Sequence, residues 1–176
     1  MINVEEYYWM AEVGILKPTD HVELINGEII EKISPVGSKH ASVVGRMTGL
    51  VVRLIGHQYM VRIQSPVRLS ADSEPEPDLA IVASKEDDYA DAHPGPFDIH
   101  LIMEVAHTTL EYDQTTKLKL YASSGIPCYW VVNIPENQIE VYTNPEKGDY
   151  KNKEVFSSKG EIPLLGTHLS FEQVLK

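Results

Sequence analysis

The sequence predicts an α+β fold built on a mixed sheet. Two observations carry that expectation: strand-like runs outnumber helical ones, and most of the strands come as hairpin pairs. No internal repeat and no linker-like tract divides the 176 residues, so a single domain is expected over 1–176. Asn3 can cap a helix over residues 4–13, with Glu5 and Glu6 in the first turn, where the helix dipole favours acids. Pro18 then breaks the chain. Val22–Ile25 and Glu28–Glu31 flank Asn26-Gly27, a type I′ turn signal, and read as a hairpin. Ser38 caps a second helix over 39–55, with Val43, Met47, Leu50, Val51 and Leu54 as its apolar stripe. Residues 59–69 alternate as a strand, and Leu79–Ala83 is a short apolar strand entered from Pro77-Asp78. A polar loop over 84–96, with Glu86, Asp87 and Asp88 solvated, leads to a strand over 99–105. Residues 110–123 read as a helix ended by Gly125. Residues 127–134 and 138–143 form another hairpin, with Tyr129 and Trp130 as core residues, and Val155 lies in a last edge strand. Helices therefore flank a central mixed sheet with additional β-hairpins.

Composition narrows the function classes. A single cysteine, Cys128, excludes an internal disulfide and reads as a small buried hydrophobe. The opening residues carry neither a basic nor an apolar leader region, and no apolar run is long enough to span a membrane. A cytoplasmic protein is the expectation. The formal charge is −11, with 26 acids against 15 lysines and arginines. Nucleic-acid affinity rests on neutralised phosphates, so such a chain needs a local basic surface, a dimer or bridging metal ions to bind DNA.

One constellation calls for chemistry. Asp78 stands at the mouth of a buried strand behind a rigid proline, and Glu104 stands inside the apolar run Leu101-Ile-Met-Glu-Val-Ala. A lone buried carboxylate costs several kcal/mol unless it is protonated, paired or metal-bound. Antiparallel pairing of the two strands would set the start of one beside the end of the other and bring the acids together. Converging carboxylates repel unless a cation sits between them, and an all-oxygen pair suits Mg²⁺ or Mn²⁺ rather than zinc. Asp113 and Lys117 share a helical face that Tyr121 continues. Lys117 aimed at the carboxylates would orient an attacking water and offset charge on a phosphorane; on a solvated face it would be an ordinary partner of Asp113.

Taken together, Pro77-Asp78, Glu104-Val105 and the series Asp113, Lys117, Tyr121, Gly125, Tyr129-Trp130 resemble the Uma2 family, formerly DUF820, of the PD-(D/E)XK nuclease superfamily. Glu23-Leu-Ile-Asn-Gly-Glu28 and His40 resemble the opening motif of the same family. The resemblance implies a restriction-endonuclease-like core and divalent-metal hydrolysis of phosphodiesters. It assigns Asp78 and Glu104 to the metal. The superfamily lysine, two residues after the acid, is Ala106 in this chain, and Lys117 resembles the family's helical substitute. A second departure is His107-Thr108-Thr109, where relatives commonly carry a longer Ser/Pro/Thr-rich stretch.

The expected activity is therefore a Mg²⁺- or Mn²⁺-dependent endonuclease acting on DNA, with Asp78, Glu104 and Lys117 as its machinery. Glu23, His40 and Asp113 are supporting candidates, Asp113 as an orienting partner of Lys117; Glu23 and His40 each also have a plain structural role open to them. Nucleases of this fold often cut as dimers, and apolar edges such as the hairpin ending at Tyr142 suit a homodimer. Two other classes stay open: a catalytically inactive nuclease-fold module that binds protein through its acidic surface, and a hydrolase of small phosphate esters.

Overall fold

Asn3 opens α1 (Val4–Glu12) with a reciprocal cap: its side chain accepts the Glu6 N–H at 2.8 Å, and the Glu6 carboxylate accepts the Asn3 N–H at 2.9 Å. In this computed structural model, which describes residues 1–32 and 37–176, β1 (Val22–Ile25) and β2 (Glu28–Glu31) close over Asn26 and Gly27 at φ of 50° and 75°. Those left-handed angles are what the Asn-Gly pair is suited to adopt. The next helix, α2 (Ser38–Leu54), starts at the expected cap, one residue earlier than expected. Gly37 takes the extended cap position, and no side chain caps the helix, so Ser38 is its first residue rather than its cap.

A six-stranded sheet runs in the order β3 (Tyr59–Ile63), β4 (Leu79–Ala83), β5 (Ile99–Ala106), β6 (Cys128–Asn133), β7 (Gln138–Glu146) and β8 (Asp149–Phe156). Among the described residues only β5 and β6 pair in parallel. A parallel pair needs a crossover, and α3 (Leu110–Tyr112), a π-helical turn (Asp113–Lys117) and α4 (Leu118–Ser123) supply it. That run lies on the face carrying Ile102, Glu104, Ala106 and Val131; α2 covers the opposite face, where Leu79, Leu101, Met103 and Trp130 are buried. The sheet is thus a mixed sheet between helical layers, as expected.

Two larger departures from the sequence reading are a shortened strand and an unforeseen C-terminal hairpin. The strand expected over 59–69 stops at Ile63, because Gln64 turns at φ 44° and Pro66 follows. Val67 and Leu69 keep the apolar alternation only because a separate loop buries them against the second core, with Val67 N–H donating to Pro75 O. Val155 lies in the edge strand β8 as expected, although β8 is not the last strand and its exposed Lys151–Glu154 stretch hides its length in sequence. The hairpin of β9 (Glu161–Leu164) and β10 (Thr167–Ser170), followed by α5 (Phe171–Val174), was not foreseen. Its turn places Leu165 at φ 45°, a conformation for which leucine gives no signal. These elements close the α2 side of the core through Ile162, Leu169 and Phe171. β8 also covers β7 along its length, which leaves Tyr142 buried; the edge expected there for a homodimer is occupied. Among the described residues no helix is long and apolar enough to cross a membrane.

β5 is the innermost support of the site, so its packing sets overall stability. Met103→Ala, at a fully buried position, is expected to cost about 2–5 kcal/mol in denaturant unfolding. Phe97→Ser, at a fully exposed position, should leave the midpoint unchanged.

Candidate active site

The β4–β5 ladder pairs Leu79 with Met103, so one step further Asp78 faces Glu104. The Asp78 N–H donates to Glu104 Oε2 at 3.3 Å. Asp78 Oδ2 accepts the Val105 N–H at 2.8 Å and lies 3.1 Å from His40 Nε2, while the Gln64 amide reaches Oδ1 at 3.4 Å. His40 is in the first turn of α2, so a helix packed on one sheet face reaches around the sheet end to an acid whose neighbours lie on the other.

Glu104 and Lys117 are 4% and 5% exposed. Glu104 Oε1 accepts both the Lys117 ammonium at 2.9 Å and the Tyr121 hydroxyl at 2.7 Å. Lys117 also lies 3.3 Å from Glu23 Oε1, and Glu23 Oε2 accepts the Glu76 N–H at 3.1 Å. β1 brings Glu23 in because Leu24 bridges Glu74 antiparallel, with the Glu74 N–H donating to Leu24 O at 2.7 Å. The solvated-face alternative for Lys117 therefore fails: the crossover run packs it against β5. The pairing with Asp113 also differs from expectation. Asp113 is buried beside Lys117 but outside ion-pair distance, and its Oδ2 accepts the Thr109 hydroxyl at 2.6 Å. The π turn holds both residues inward, and the Asp113 carbonyl is satisfied by the Tyr129 hydroxyl at 3.0 Å.

The structure thus gathers Asp78, Glu104, Lys117, Glu23 and His40 into one bonded cluster, with Asp113 adjoining it. Tyr121, Gln64 and Tyr112 went unassigned in the sequence. Tyr121 had a signal, since it lies one helical turn beyond Lys117 on the same face. Gln64 had none, because its place depends on the turn that ends β3. The Tyr112 hydroxyl is buried without a partner among the described residues, and nothing in its flanking sequence marks it.

Among the described residues no three His, Cys, Asp or Glu side chains converge as a metal cluster. The donor set is instead two facing carboxylates, all oxygen. That suits Mg²⁺ or Mn²⁺, which are commonly held by one or two carboxylates with water and substrate phosphate completing the shell, and not a closed zinc site. Asp78 Oδ1, with only the long Gln64 contact, has spare accepting capacity.

Burial pushes the Glu104 carboxyl up to about 7 and the Asp113 carboxyl up to about 6, each against the pull of Lys117. Burial works on Asp78 in the same sense, but its hydrogen bond to His40, the charge of His40 and the Val105 N–H outweigh it, so Asp78 stays below its ordinary value. The hydrogen bond to Asp78 raises His40. Burial alone would lower Lys117; Glu104, Glu23 and Asp113 reverse that and keep it charged. Glu104, Asp113 and His40 therefore hold protons more tightly folded than unfolded, and their stabilisation, full at low pH, is lost as pH rises through their folded values. In EDTA the melting temperature is expected to fall between about pH 5 and about pH 8, and less steeply in Glu104→Gln. An unchanged slope in that variant would take the titration away from Glu104.

Comparison with known proteins places this geometry. The crystal structure of a protein from Anabaena variabilis ATCC 29413, described as "a putative nuclease belonging to DUF820", superposes with a TM-score of 0.75 at 16% identity, over 99% of this chain and 97% of that one. At that identity the likeness speaks for the fold alone, a mixed six-stranded sheet flanked by helices. No curated protein matches the sequence. A family model described as "Uma2: Putative restriction endonuclease" matches residues 4–174, which includes every residue of the cluster above. With nearly the whole length matched, the chain belongs to the Uma2 family.

Proposed function

We propose that this protein is a divalent-metal-dependent endonuclease that hydrolyses phosphodiester bonds in DNA. The observation that carries the proposal is the contact of Lys117 with Glu104 at 2.9 Å, beside Asp78. It answers the absence of a lysine at Ala106, since the crossover run delivers an ammonium to the same carboxylate. Family membership and the nuclease-like fold support it.

In this proposal Asp78 and Glu104 hold Mg²⁺ or Mn²⁺. Bound there, the ion supplies Lewis-acid polarisation of the phosphoryl oxygen and a more acidic water. Lys117 offers a permanent positive charge that can orient the attacking water and offset charge growing on the phosphate. Glu23 and Asp113 keep Lys117 charged, and His40 holds Asp78 ionised and fixed in direction. Each chain carries one such cluster, so cutting both strands of a duplex calls for two copies, and a homodimer is part of the proposal. The charge of −11 favours one competing reading, an inactive nuclease-fold module that binds protein.

Calorimetric titration of Mg²⁺ and Mn²⁺ into wild type and Asp78→Ala, with plasmid nicking on the same samples, separates these. Saturable binding lost in Asp78→Ala, together with metal-dependent nicking, is the expected result. Binding without nicking favours a small phosphate ester as substrate, and no binding favours the interaction module. Lys117→Ala should keep metal binding and lose about 10²–10³-fold in nicking rate, the scale of losing one charge-stabilising donor. Unchanged nicking would remove Lys117 from the machinery. Glu104→Gln is the better probe of the second acid, because Glu104→Ala strands a buried ammonium and is expected to destabilise by about 3–5 kcal/mol.

A further inference from the structure

A cleft of about 410 Å³ lies outside the carboxylate cluster, lined by Tyr8 of α1, by Arg68 and by Tyr89 and His93 of the loop that precedes β5. A belt of hydrogen bonds sets its side chains in advance. Arg62 Nη2 lies 3.5 Å from His93 Nδ1. A guanidinium only donates, so Nδ1 accepts and Nε2 carries the ring proton. Nε2–H donates to the Tyr8 hydroxyl at 3.1 Å, and that hydroxyl donates to Glu74 Oε1 at 2.6 Å. Glu74 Oε2 accepts the Arg68 Nε–H at 2.6 Å, and the Arg68 guanidinium stands 5.6 Å above the Tyr8 ring.

The charges in this belt do not close. Glu74 is matched by Arg68. Arg62 has no carboxylate within ion-pair distance among the described residues, and its buried Nε–H has no acceptor. A buried donor of this kind is costly to leave unpaired. The terminal nitrogens of Arg68 are likewise without a partner among the described residues, on a side chain that is 45% exposed. An anion with several acceptor oxygens in the cleft would be met by the unpartnered terminal nitrogens of Arg68, with the Arg62 guanidinium against His93 of the lining as a second positive charge, and guanidinium is the side chain best matched to phosphate.

Position ties the cleft to the cluster. Arg62 pairs with Ala80 across the β3–β4 ladder, two residues along β4 from Asp78 and on the same sheet face. Two residues of strand span roughly 7 Å, about two nucleotide rises of one duplex strand.

We propose that Arg62 and Arg68 form a phosphate subsite that grips the nucleic-acid strand at a phosphodiester flanking the one presented to Asp78 and Glu104. This rests on the endonuclease reading and adds to it the local basic surface that a chain of charge −11 otherwise lacks. Free phosphate offers the same oxygens, so the test separates a strand from a lone anion.

Anisotropy of a fluorescein-labelled duplex oligonucleotide, titrated in EDTA at several salt concentrations, reads the subsite without cleavage. Arg62→Gln is expected to weaken binding at least about fivefold and to lower the slope of log affinity against log salt by about one. Asp91, an exposed acid in the cleft lining, opposes the phosphate, so Asp91→Asn should bind about twofold tighter at an unchanged melting temperature. Loss of structure cannot imitate that gain. Equal binding by wild type and both variants overturns the subsite and leaves the nuclease reading standing. Failure of wild type to bind the oligonucleotide, with inorganic phosphate still shifting the His93 ring resonances, overturns the strand-gripping role in favour of a free-anion pocket. Failure to bind either, in a protein whose metal binding does not depend on Asp78, overturns both proposals.

Discussion

A buried ion pair joins the two halves of this molecule. Glu104 belongs to the central sheet and Lys117 to the crossover run, and neither has water to fall back on. Two apolar residues of the same volume would hold the elements together at least as well, because desolvation consumes much of what the charges gain. What the pair adds is direction. Glu104 must present Oε1 to the crossover and Oε2 to the backbone of Asp78, and Lys117 must lie where Glu23 can also reach it. The position of β1 and the orientation of the strand mouth at Asp78 follow from those demands.

The sheet divides its labour between faces. Leu101, Met103 and Val105 of β5 are apolar and pack in the core under α2. The even-numbered face includes the acid, and its covering helix is interrupted where the acid lies. His40 joins from the α2 side only because the cluster is at a strand end, where the two layers meet.

Much of this was legible in the sequence, for identifiable reasons. Asn26-Gly27 prescribed a turn geometry, and the apolar flanks of Glu104 meant that its charge had to be answered inside the protein. Asp78 and Glu104 were brought together by antiparallel pairing alone. Harder to read were features whose cause is not local. Val67 and Leu69 alternate like a strand but answer to a different core, and Leu165 turns against its own preference in a hairpin whose Ile162, Leu164 and Leu169 are anchored in the core. The partner of Lys117 was misassigned for the same kind of reason: Asp113 is near in sequence, whereas Glu23 arrives from 94 positions away through the docking of β1.

The π turn at Asp113–Lys117 has a bearing on how this family can vary. Each residue of an α-helix advances about 100° around the axis, so one surplus residue would rotate everything beyond it off the sheet. A wide turn absorbs that surplus, and Leu118, Tyr121 and Ala122 return to the core face. Loss of that residue would let the helix run regular with its two ends still in phase, but it would remove the wide turn that holds Asp113 and Lys117 inward together. Between Thr109 and Gly125, spacing therefore decides which side chains meet the acids and which meet the core.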